Sequence, residues 1–217
     1  MAKLRHLQDI LLRIAQVDAA RARVLVSKAR AAGHFTTGGR GVNAPDMVPR
    51  DATTTLLLAL QMDPPTEAGE AVRALRDLPF DHMKYDHGDG TFRDFGSDWL
   101  GPEGEGLQLH LPDSFDQKLP GTLGAALDAL FARNDSFVNP WDKIELSKTS
   151  YDPKVILSLA DADYQYQGFP VEGRRAWKFV FEPTDVAGWD GLGVWTSKTA
   201  HVYALRALRD LILEGAD

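Results

Sequence analysis

Two hydrophobic periods share this chain, and together they restrict its fold more than any single motif. Leu4, Leu7, Leu11 and Ile14 recur at spacings of three and four, which predicts a helix. The same period returns in Leu123, Ala126, Leu127, Leu130 and Phe131, and again in Val202, Leu205, Leu208 and Ile212. Between those last two stripes the period drops to two. In "RAWKFVFE", Trp177, Phe179 and Phe181 share one face while Lys178 points away. "KIELSK", "KVILSLA" and "DADYQYQGF", with Tyr164 and Tyr166 on one side, read as further strands. Helices first, then helix, strands, helix, predict an α+β protein. Its N-terminal part is mostly helical, and an α+β domain with an antiparallel sheet follows.

Local punctuation sets the expected boundaries. Asp18 fits an N-cap for a second helix reaching about Ala32, with Val24, Val26 and Ala29 as a narrow buried stripe. Gly33 fits the position just past that helix. "HFTT" and "GVNAPDM" are expected to be short strands around the Gly38–Gly41 turn. Pro49 suits the first turn of a third helix, with Ala52, Leu56, Ala59 and Leu60 inward. Pro64-Pro65 breaks it, and Thr66 opens a short helix that buries Ala68, Val72 and Leu75. Thr122 is expected to cap the next helix, and Thr196 or Ser197 to open the last. At Pro79 the composition changes: residues 81–116 hold nine acids and two basic residues, with many glycines. This predicts an irregular connection with a short hairpin around "HGDGTF", and hence three parts: 1–79, 80–117 and 118–217.

Composition narrows the function classes. No apolar run approaches the roughly 18 residues of a membrane span. The N-terminus is amphipathic and charged throughout, unlike a secretory signal. The chain has no cysteine, which removes disulfide and thiol chemistry and suits a cytoplasmic location. Charge is divided unevenly. Residues 1–50 carry nine Lys/Arg against three acids, leaving 15 basic and 28 acidic residues beyond. Such asymmetry marks either a polyanion-binding end or a basic helical surface of no special role.

The segment "AAGHFTTGGRGVNAPD" lies within the basic end. A Walker phosphate loop needs G-x-x-x-x-G-K-[ST] between a strand and a helix, whereas here a helix comes first and no Lys-Ser/Thr pair follows. A plain surface hairpin and a DNA-binding wing remain. The order helix, basic helix, glycine stop, short strand, Gly-Gly-Arg-Gly turn, short strand, helix resembles a winged helix-turn-helix over about 60 of the 217 residues. "ARVLVSKARAAGHF" looks like a recognition helix running into "TTGGRGVNAP" as the wing, and a small head before an unrelated tail is similar to phage and prophage transcriptional regulators. The resemblance implies a non-enzymatic regulator. Arg21, Arg23, Lys28 and Arg30 would meet the major groove, Ser27 and His34 phosphates, and Arg40 a narrow minor groove. Double-stranded DNA and a second copy in a homodimer are the expected partners, with the C-terminal domain meeting a further protein. The alternative is a phage structural or host-inhibiting protein working through protein contacts.

No other constellation carries comparable weight. "DHMKYDHGDG" gathers Asp81, His82, Asp86, His87 and Asp89, all metal-capable, but without H-E-x-x-H spacing. Solvated charges are the commoner explanation there. Asp161 and Asp163 read as surface acids, and no G-x-S-x-G element occurs. Trp189 and Trp195 belong to a core or to a partner surface. Neither a catalytic residue, a metal ligand nor a cofactor is expected.

Overall fold

In the computed structural model, residues 4–15, 17–37, 46–87, 91–94, 121–134, 136–137, 142–148, 153–160, 176–183 and 196–213 are described. They form six α-helices and one six-stranded sheet, an α+β fold. The helices are α1 (Leu4–Ala15), α2 (Ala19–Ala31), α3 (Pro49–Leu60), α4 (Ala68–Arg76), α5 (Leu123–Phe131) and α6 (Val202–Leu213). The strands are β1 (Phe80–Asp86), β2 (Phe92–Asp94), β3 (Lys143–Lys148), β4 (Pro153–Ala160), β5 (Ala176–Phe181) and β6 (Thr196–His201). Every neighbouring pair is antiparallel, in the order β2-β1-β5-β4-β3-β6.

Strand alternation builds the core face of the sheet. Met83 and Tyr85 of β1, Trp177, Phe179 and Phe181 of β5, Val155, Leu157 and Leu159 of β4, and Ile144 and Leu146 of β3 are all buried. Tyr85 packs on Trp177 with ring centroids 4.7 Å apart, worth roughly 0.5–1.5 kcal/mol beyond area burial. These side chains join the inner faces of the helices in one hydrophobic cluster. The expected stripes of α5 and α6 are buried in full, as are Leu7 and Leu11 of α1.

α3 lies at the centre of the helices, packing on α1, α2, α4, α5 and α6. Every residue from Asp51 to Leu60 is buried, so beyond its first two residues the helix has no solvent face and the expected one-sided stripe is too narrow. A buried helix must satisfy both ends internally. Asp51, in the first turn, answers the N-terminus. Lys198 of β6 answers the C-terminus, its Nζ donating to the carbonyls of Ala59 (3.3 Å) and Gln61 (2.9 Å).

Three expectations change. First, residues 80–86 and 92–94 are strands, not irregular connection. Met83 and Tyr85 alternate inward, while the charges that hid the alternation pair across strands, Lys178 with Asp86 at 2.8 Å and Lys84 with Asp94 at 3.5 Å. The hairpin around "HGDGTF" is supported by His87 N–H donating to Thr91 O at 3.2 Å. Second, Pro79 is not a gap in packing. Phe80 N–H donates to Gly121 O (3.1 Å) and Leu123 N–H to Leu78 O (2.9 Å), while Arg76 grips Asp128 with Nη2 to Oδ2 at 2.6 Å. Third, Thr196–His201 is a strand paired with β3 along its whole length, and α6 starts at Val202. Alternation in "TSKTAH" is carried only by Lys198 and Ala200, too short a signal to separate a strand from a helix start. The expected strand "DADYQYQGF" lies outside the described residues, as do Trp189 and Trp195.

Candidate nucleic-acid interface

α1 and α2 are joined by only three residues, the spacing of a tight helix-turn-helix connection. Asp18 caps α2 as its sequence position suggests, Oδ1 accepting from Arg21 N–H at 2.7 Å. The helix buries Ala22, Leu25, Val26 and Ala29. Leu25 takes the inward place expected for Val24, which is 40 % exposed.

Arg21, Arg23, Ser27, Lys28 and Arg30 are all exposed on α2. At 100° per residue, Arg21 and Lys28 fall about 20° apart on one edge of the solvent face. Arg23 and Arg30 fall about 20° apart on the other edge. Ala20, Val24, Ser27 and Ala31 lie between. Among the described residues none of the four cations is in a salt bridge. Further positive charge surrounds the helix. Burial, and secondly the charge of Arg21, lowers the Lys198 ammonium below the ordinary lysine value.

The end of α2 is a Schellman motif. Gly33 has φ +78, Gly33 N–H donates to Arg30 O and His34 N–H to Ala29 O, both at 3.0 Å. This turn sends His34 inward, where it is 5 % exposed and its Nε2 lies 2.8 Å from the Gly69 carbonyl oxygen. His34 therefore has no access to a phosphate, contrary to expectation. Its pKa is lowered, chiefly by burial; the Gly69 hydrogen bond opposes this, and the charges of Arg50, Arg73 and Arg76 add to it. Arg50 and Arg73 are themselves exposed, so the C-terminal end of α2 sits in a positive surround.

Asp51 is the functional-site residue that pattern reading missed. Its buried carboxylate accepts from Thr36 N–H (2.7 Å), Thr36 Oγ1 (2.8 Å) and Val48 N–H (2.7 Å). It thereby ties together the two ends of the glycine-rich segment. Neither His34–Thr37 nor Asp46–Val48 contains a strand, contrary to the expected wing. The physical reason is that Phe35 and Met47 turn into the core and Thr36 and Val48 bond Asp51 instead of one another. A faint signal existed: an acid three residues into a helix that starts at proline is placed to reach back to its own N-cap. Arg40 and the other residues of 38–45 lie outside the described residues.

Gly69, also unremarked in sequence, lets α4 approach α2. A Cβ there would lie 2.8 Å from Ala32 Cβ and 3.1 Å from Lys28 O. α2 is thus held by a cap at one end, a Schellman turn at the other and a close helix crossing beneath. No family model matches the chain, and neither does any curated protein or solved structure. No helix among the described residues is long and apolar enough to cross a membrane.

Proposed function

We propose that the protein is a DNA-binding regulator that grips duplex DNA through α2. The observation that carries this reading is the two-edged layout of Arg21/Lys28 and Arg23/Arg30 on a rigidly mounted, solvent-facing helix. Opposed rows of cations suit the two phosphate walls of a major groove, while Ser27 and the small residues between them let the helix come close. The tight α1–α2 connection and the positive surround at Arg50 and Arg73 support the same reading. Arg40, on the tied glycine-rich segment, would add a contact to the flanking groove, and a homodimer would double the weak grip of one helix. An acidic remainder confines contact to this end.

The test is fluorescence anisotropy with a labelled mixed-sequence duplex at several salt concentrations. We expect binding at roughly micromolar affinity or tighter in low salt, weakening steeply as counterions are added. Removing one edge (Arg21→Ala with Lys28→Ala) or the other (Arg23→Ala with Arg30→Ala) should flatten the log–log salt slope by about 1.8, since each phosphate contact contributes about 0.9. Arg40→Ala should flatten it by about 0.9. Absence of binding in low salt would reject the reading and turn attention to an acidic protein as the partner of this face.

A further inference from the structure

Building on the DNA-binding role proposed for α2, we infer that Val24 reads the C5-methyl group of thymine, so that the helix favours A·T-rich major grooves. Ser27, Ala20, Ala31 and Val24 follow one another over about 60° of the helical wheel, between the two cationic edges. All four are exposed. Val24 is the largest of them, and Ser27 alone carries a side-chain hydrogen-bonding group. Among the described residues, Val24 and Tyr203 are the only large hydrophobic side chains left exposed on helices. Val24 does not belong to the hydrophobic cluster, where Leu25 takes the inward place. It is framed instead by Arg21, Arg23, Lys28 and Arg30, none of which is in a salt bridge among the described residues.

This framing fixes what Val24 would meet. Cations at the two edges bring phosphates to either side of the helix, and the base edges then face its middle. Every base pair presents hydrogen-bonding groups there, while the thymine methyl is the apolar feature of the major groove. Ala20, Val24 and Ala31 offer those polar groups no partner, so a G·C pair pressed against them loses water without replacement. A thymine methyl against the Val24 isopropyl group instead removes apolar surface of both partners from water. Ser27, on the other side of the midline, can bond to either kind of base pair and adds no preference of its own.

Anisotropy titrations of the full chain with two labelled duplexes test the reading. One alternates dA and dT, and the other carries deoxyuridine in place of thymidine, which removes only the C5-methyl group. We expect the parent protein to bind the thymine duplex roughly fourfold tighter, the effect of burying one methyl group. In Val24→Ala, which places a better helix former at an exposed position, the ratio should fall toward unity. Its log–log salt slope should stay parental, because no phosphate contact is lost. Arg23→Ala with Arg30→Ala should do the reverse, flattening the slope and keeping the ratio. Equal parental affinity for the two duplexes, or a thymine preference that persists in Val24→Ala, would overturn the role of Val24 and leave the phosphate grip of α2 standing. Absence of binding to either duplex in low salt would overturn both.

Discussion

His34 shows how a residue's role depends on the turn that delivers it. Its position after a basic helix invites a phosphate contact, but positive φ at Gly33 turns it beneath α4, onto Gly69 O. Burial there favours the neutral ring, so its folded pKa lies below the unfolded value of about 6.5. The unfolded chain therefore takes up the proton first as pH falls. The stability this residue contributes is fully present above about pH 6.5 and is lost as pH falls through the lower folded value. His34→Gln keeps a donor for Gly69 O and removes the titration. Urea midpoints from pH 7.5 down to 5 should fall more steeply in the parent than in the variant. Parallel profiles would show that His34 is not the titrating group.

At the scale of elements, the crossing of α2 on α4 is the contact on which the candidate interface rests. Gly69→Ala places a methyl 2.8 Å from Ala32 Cβ, and the carbonyl of Lys28 at 3.1 Å has little freedom to yield. We expect a loss of about 1–3 kcal/mol in urea unfolding, the usual cost of overpacking. Gly121→Ala, with nothing within 4 Å, should change stability by no more than about 0.5 kcal/mol. Equal effects at the two sites would mean that helix propensity outweighs the crossing. The caps were legible because they act within one turn: Asp18, Gly33, Pro49 and Thr122 each need only their neighbours. β1 and β6 were not legible. In β1 the charges are neutralised by partners on adjacent strands, up to 92 residues away in sequence, and in β6 only Lys198 and Ala200 carry the alternation.

At the scale of the molecule, the helices before Pro79 and those after it share one core, with α3 packed on both α5 and α6. Cutting the chain at 79/80 would expose the α3 face that meets them and remove Lys198 from its C-terminus. We therefore expect one cooperative transition, with far-UV ellipticity and tryptophan fluorescence superimposing in urea, and an isolated 1–79 fragment that does not fold. Two separated transitions, or a folded fragment, would establish an autonomous head.

Local sequence encodes the presence of the six helices, the caps at Asp18, Gly33, Pro49 and Thr122, the inner stripes of α5 and α6, three of the strands, the α+β class and the basic character of the first 50 residues. Each depends on chemistry within a few residues along the chain. Long-range contacts, by contrast, bury α3 on every side from Asp51 onward, let Asp51 tie Thr36 to Val48, turn His34 inward and bring Asp81, His82 and Glu182 together. These features depend on partners brought together by packing and strand register, which local periodicity does not encode.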